Sequence, residues 1–121
     1  MVYCGTDIIE IERIKKSIED FGQSFLTKVF TEKEIEYCER KKEMRYQHYA
    51  ARFAAKEAIF KAVSKMLPNK FELGWQNVQI ENDENGRPEV KLINYEIKGI
   101  NQIDLSLSHC ESFAVAVCVI C

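Results

Sequence analysis

The chain has no long apolar run. Its longest, residues 113–121, is nine residues, against the ~20 that a helix needs to cross a bilayer. That excludes a membrane-spanning helix and points to a soluble protein. Positive charge is not in excess either: seventeen Lys plus Arg stand against nineteen Asp plus Glu, a formal net charge of −2. That argues against a nucleic-acid binder driven by counterion release, so any cationic site must be local. Glycine and proline are scarce, five and two, and there is no internal repeat, low-complexity tract or interdomain linker. With 121 residues, one domain spanning 1–121 is expected, large enough to bury a core without disulfide staples. The first residues lack the basic segment and apolar stretch of an export signal, and a cytoplasmic location is expected. The five cysteines, an odd number scattered along the chain, are expected reduced and buried. Cys118 and Cys121 match C-x-x-C, but at strand spacing they point to opposite faces and make a poor chelate.

What is present is a sequence of clear local signals. Val2, Cys4, Ile8 and Ile9 around Gly5-Thr6-Asp7 predict a short strand ending in an acid, with Asp7 opening a helix that runs to about Asp20. Gly22 should end that helix. Thr31 and Glu34 have the spacing of a capping box, with a helix to about Arg40. Residues 47–66 are rich in Ala, free of Gly and Pro until Pro68, and predict one long helix. At about 100° per residue, Ala50, Phe53, Ala54 and Phe60 lie within about 60° of Glu57, while Ala51, Ala55, Ile59, Ala62 and Met66 line the opposite side. Such a helix is largely buried, and its small residues let neighbouring backbone come close. Trp75, Val78 and Ile80, then Asn85-Gly86, then Pro88, Val90 and Leu92 read as a hairpin. Leu105 to Ser108 alternates as a strand, residues 109–112 connect, and residues 113–120 are apolar on both faces, as in an internal strand.

Two carboxylates from distant sequence, Asp7 at a strand end and Glu57 in the long helix, could meet at one sheet edge. A pair of acids with open positions suits a hard divalent ion such as Mg²⁺, which takes one or two carboxylates together with phosphates and water. The plainer reading of Glu57 is an i,i+4 pair with Lys61. Arg52, Lys56, Lys61 and Lys65 supply cations on the same helix. Lys61, about 40° from Glu57 around the axis, could reach a phosphate; for Lys65, and in part Lys56, snorkelling stems are the plainer reading. Arg13, Lys15 and Lys16, followed by Phe21, Phe25 and Leu26, form either a solvated helix face or a docking surface for an acidic helix.

Four motifs in order carry a resemblance: Gly5-Thr-Asp7-Ile with Arg13-Ile14; Arg52-Phe-Ala-Ala-Lys-Glu57-Ala with Lys61; Asn85-Gly-Arg-Pro88; and Leu105-Ser-Leu-Ser-His109. Over nearly the whole chain they resemble the holo-acyl carrier protein synthase type of the 4′-phosphopantetheinyl transferase family. The resemblance implies an α+β fold, an antiparallel sheet packed with a long central helix, and a homotrimer with active sites between subunits. It implies Mg²⁺-dependent transfer of 4′-phosphopantetheine from coenzyme A to a serine of apo-acyl carrier protein, releasing adenosine 3′,5′-bisphosphate, in fatty acid biosynthesis. On that reading Asp7 and Glu57 hold the metal, and Glu57, Lys61 and Asp7 are catalytic, with Glu57 or alternatively Asp7 as base. Arg52, Lys56, Lys61, Asn85, Gly86, Arg87, Pro88 and His109 meet coenzyme A, and Arg13, Lys16 and Phe25 meet the carrier. Two rival readings remain: a non-catalytic module that grips acidic carrier-like helices, and a metal-dependent phosphohydrolase.

Overall fold

The computed structural model describes residues 1–69 and 71–121. Strand β1 (Tyr3–Glu10) is followed by helices α1 (Ile11–Phe21), α2 (Gln23–Val29), α3 (Glu32–Glu39) and α4 (Arg45–Val63); then come strands β2 (Val78–Asn82), β3 (Pro88–Leu92), β4 (Ile103–His109) and β5 (Phe113–Ile120). The fold is α+β, with an antiparallel sheet ordered β1-β5-β4, a separate antiparallel pair β2-β3, and α4 as the long central helix. Among the described residues no helix is long and apolar enough to cross a membrane.

Strand β5 sits in the middle of its sheet, as its two-sided apolar sequence predicts. Alternate residues Ala114, Ala116, Cys118 and Ile120 are buried under α4, whereas Phe113, Val117 and Val119 stay about 40% exposed on the other face. Beside them on that outer face stand Ile8 of β1, opposite Val115, and Thr6, opposite Val117. A large apolar sheet face is left uncovered by the chain itself.

Helix α4 is buried nearly all round, with eleven of its residues buried. Its close seat on the sheet depends on Gly5, where a Cβ would fall 2.1 Å from the Ala58 carbonyl oxygen and 2.7 Å from the Ala62 nitrogen. Only a residue without a side chain permits that approach. The close packing of Gly5 against α4 brings the next residues of β1 under Glu57 and Lys61.

Several expectations are corrected. Asp7 does not end β1 or open α1: the ladder with β5 continues to Glu10↔Phe113, and α1 begins at Ile11. Gly22, at φ 55°, does close α1, but it also starts the separate helix α2. His109 is the last residue of β4, paired with Ala114, rather than part of the connection. Of the cysteines only Cys38 and Cys118 are buried; Cys4, Cys110 and Cys121 are exposed, and all five are free thiols. The β2-β3 connection is the loop 83–87, with Gly86 at φ 80° and the Asp83 side chain accepting the Asn85 and Arg87 amides at 2.8 Å. The turn read at Asn85-Gly86 is thus real.

Candidate active site

Lys56 was expected partly to snorkel and to contact coenzyme A; the structure corrects both. It is completely buried, and its three ammonium hydrogens are committed to Glu34 Oε1 at 2.7 Å, the Val29 carbonyl at 2.7 Å and the Trp75 carbonyl at 3.0 Å. No donor is left for a phosphate. Glu34 is equally occupied. Within the Thr31 capping box it accepts the Thr31 amide at 2.8 Å, and its other oxygen accepts the Ile80 amide at 2.8 Å, tying α3, α4 and β2 together. Burial holds the Lys56 pKa below its ordinary value, with the Glu34 charge opposing that shift.

One cluster lies where β1 passes under α4. Lys61 Nζ donates to the Thr6 carbonyl at 2.9 Å and to Asp7 Oδ1 at 3.1 Å. The ion pair of Lys61 is therefore with Asp7 across the fold, and the alternative i,i+4 pair with Glu57 is absent among the described residues. Glu57, half-buried, has no hydrogen-bond partner among the described residues. Burial raises its pKa first, the nearby Asp7 charge raises it further, and Lys61 partly offsets both. Two like-charged carboxylates thus perturb one another here, and Glu57 is left unpartnered among the described residues. Among the described residues no group of three or more His, Cys, Asp or Glu gathers, but two carboxylates match the protein share of a typical Mg²⁺ site completed by phosphate and water.

Glu57 and Lys61 form the polar lip of an apolar cleft of about 690 Å³, continued by Phe60, Ser64, Leu67, Leu73 and Trp75. Trp75 stacks on Phe53 at 5.2 Å and meets Phe60 edge-on at 5.1 Å, which stiffens the wall. This cleft was not anticipated from sequence, because its lining comes from both α4 and the stretch between α4 and β2. An i,i+3 and i,i+7 pattern from Glu57 through Phe60 to Ser64 was the only available signal.

A second, cationic cluster lies on another side of α4. Arg52 is only 3% exposed, and its Nε has no partner. Its guanidinium lies over the Tyr37 ring at 4.0 Å. His48 meets that ring edge-on at 5.5 Å. His48 is held neutral, its pKa pushed down to about 4 by burial and by the charges of Arg52, Lys41 and His109. Arg52 lines a cleft of about 330 Å³ with Tyr37 and Asn82, the last residue of β2. His109 is exposed at the end of β4, and Asn85, Gly86 and Arg87 are exposed at the tip of the β2-β3 pair, with Pro88 half-buried. At about 100° per residue, Arg52 lies about 140° around α4 from Glu57, so the two clusters face different ways. Arg13 and Lys16 are exposed on α1, Lys15 turns back to the Tyr46 ring at 5.6 Å, and Phe25 is half-buried against Phe30.

A sequence profile described as the 4′-phosphopantetheinyl transferase superfamily matches residues 3–118. The chain belongs to that superfamily. Among its relatives is the holo-[acyl-carrier-protein] synthase of Ruminiclostridium cellulolyticum, 47% identical, with the alignment covering 96% of this chain and 89% of the relative. Two solved structures resemble this phosphopantetheinyl transferase closely. The holo-[acyl-carrier-protein] synthase of Neisseria meningitidis superposes with a TM-score of 0.86 at 31% identity, over 99% of this chain and 98% of the other. That of Bacillus anthracis, in complex with CoA (3′,5′-ADP), superposes with a TM-score of 0.81 at 33% identity, over 98% and 94%.

Proposed function

We propose that this phosphopantetheinyl transferase, acting as one domain over 1–121, is a holo-acyl carrier protein synthase. It moves 4′-phosphopantetheine from coenzyme A to a serine of apo-acyl carrier protein and releases adenosine 3′,5′-bisphosphate. The observation that carries this reading is the Asp7–Glu57 carboxylate pair, with Lys61 ion-paired to Asp7, at the mouth of an apolar cleft. Asp7 and Glu57 would hold Mg²⁺, which when bound neutralises the pyrophosphate of coenzyme A. Lys61 adds positive charge at the same place, and such preplaced charge is the main requirement of phosphoryl transfer. Glu57, directly or through a water, takes the serine proton, with Asp7 as the alternative base. The serine oxygen bonds to the β-phosphorus as the bond from that phosphorus to the bridging oxygen breaks, and that oxygen leaves on the adenosine bisphosphate. The apolar cleft receives the pantetheine arm.

Arg52, His109 and residues 85–88 would meet the nucleotide end. Because Arg52 and Glu57 point to different sides of α4, one coenzyme A molecule uses Glu57 of one chain and Arg52 of another, in sites between subunits; that the assembly is a homotrimer rests on the family resemblance. The uncovered apolar face with Ile8, Val117 and Val119 supports that assembly. Arg13, Lys16 and Phe25 dock the acidic carrier, with the cations speeding encounter. The protein acts in the cytoplasm, in fatty acid biosynthesis. The test is to incubate the protein with coenzyme A, Mg²⁺ and apo-carrier and weigh the carrier by mass spectrometry. A carrier heavier by one phosphopantetheine is the expected result. An unchanged carrier with coenzyme A consumed favours a phosphohydrolase, and carrier binding without chemistry favours a docking module; both refute the proposal.

A further inference from the structure

Tyr37, in the middle of α3, belongs to no motif of the chain, yet three cationic or cationisable groups converge on its ring. The Arg52 guanidinium lies at 4.0 Å from the centroid, the Lys41 ammonium at 4.8 Å and the His48 ring at 5.5 Å, edge-on. Arg52 is buried with an unpartnered Nε and forms no ion pair among the described residues. A guanidinium in that state is held by something other than a carboxylate, and the aromatic face is what holds it. Stacking fixes the plane of the guanidinium while leaving its in-plane donors free for an anion. The other end of Tyr37 is also anchored. Its hydroxyl accepts a hydrogen bond from Asn82 Nδ2 at 2.7 Å, and Asn82 leads directly into the loop 83–87. Ring, guanidinium and Asn82 line the same cleft of about 330 Å³.

We propose that Tyr37 is a positioning residue for the nucleotide end of coenzyme A. Its ring orients Arg52 toward a phosphate, and its hydroxyl ties that site to the loop carrying Asn85 and Arg87, so the two form as one unit. The inference rests on the reading of Arg52 as a phosphate contact. The test measures binding of adenosine 3′,5′-bisphosphate by calorimetry, and kcat and KM for coenzyme A, in Tyr37→Leu, Tyr37→Phe, Arg52→Ala and the Tyr37→Leu/Arg52→Ala double variant. Tyr37→Leu is expected to weaken the bisphosphate and raise KM for coenzyme A about tenfold, with kcat within about twofold. Tyr37→Phe, which keeps the ring over Arg52 but releases Asn82, should bind the bisphosphate about threefold more weakly than wild type, unchanged binding refuting the hydroxyl tie, and the double variant should bind no more than about twofold worse than Arg52→Ala. If the two losses multiply, or Tyr37→Leu binds normally, the role of Tyr37 is refuted while that of Arg52 stands. If Arg52→Ala itself binds the bisphosphate normally, the reading beneath it fails as well. Should Tyr37→Leu lose its native circular dichroism, Tyr37→Met takes its place with the same expected values.

Discussion

Replacing Lys56 by Met separates a structural lysine from a ligand contact. The methionine fills most of the volume but leaves the Glu34 carboxylate, the Val29 carbonyl and the Trp75 carbonyl without their buried donor. Removing one member of a buried ion pair costs about 3–5 kcal/mol, because the remaining charge stays desolvated. For a chain of this length each kcal/mol is worth about 4 °C in Tm, so a fall of roughly 12–20 °C is expected. Adding Glu34→Gln removes the stranded charge at the loss of one backbone hydrogen bond, since a single amide oxygen replaces the two carboxylate oxygens that accept from Thr31 and Ile80. The double variant should therefore recover some of the loss rather than deepen it, by about 1–2 kcal/mol. The assay is thermal unfolding followed by circular dichroism at one fixed protein concentration, since subunit association also shifts Tm. A Lys56→Met protein that melts within about 3 °C of wild type, yet shows a raised KM for coenzyme A, refutes the assignment and restores Lys56 as a substrate contact.

Glu57→Gln should lower kcat by about a hundredfold or more with little change in Tm; near-normal turnover would make Glu57 structural. Gly5→Ala should cost about 1–3 kcal/mol or more and reduce activity, because its Cβ would collide with the α4 backbone at Ala58 and Ala62; a variant with wild-type Tm and turnover refutes the close-packing argument. His48 has a native pKa of about 4 against 6.5 unfolded, so the unfolded chain binds more protons in that interval and stability falls as pH drops from 6.5 toward 4. The ceiling is about 3 kcal/mol, discounted to about 1–2 because the ring is partly exposed. His48→Gln should flatten that stretch of the stability curve, and parallel curves for both proteins would contradict it.

The long helix, the capping box, the internal strand and the loop at Gly86 were legible in the sequence because each rests on local chemistry. That Asp7 and Glu57, fifty positions apart, are near enough for one charge to raise the other's pKa accords with the motifs Gly5-Thr-Asp7 and Lys-Glu57-Ala, although Asp7 lies within β1 rather than at its end. What failed locally depended on distant partners. Lys56 looks like any helix lysine, and nothing near it in sequence announces Glu34, Val29 and Trp75. The partner of Lys61 was hidden for the same reason: an i,i+4 carboxylate is visible in sequence, whereas Asp7 on a strand packed beneath it is not. Of the exposed cysteines, Cys4, opposite Val119, sits on the sheet face that the chain leaves open, while Cys110 lies in the β4-β5 connection and Cys121 follows β5.

The division of the site around α4 makes a prediction that no single-chain reading shares. Glu57 and Arg52 are separated by about 140° around the helix and about 7.5 Å along it, so a ligand gripped by Glu57 on one copy leaves the Arg52 of that same copy facing elsewhere. Mix Glu57→Gln chains with Arg52→Ala chains, each weak alone. In a closed ring of copies every site takes its Glu57 from one chain and its Arg52 from the next. Random assembly from equal amounts then leaves about one site in four with both native residues, because each is supplied with a probability of about one half. At low coenzyme A, where the Arg52→Ala defect is fully expressed, the co-refolded mixture should recover about a quarter of wild-type activity, well above the sum of the separate variants. If both residues served one site within one chain, every site in the mixture would lack one of them, and co-refolding would restore nothing.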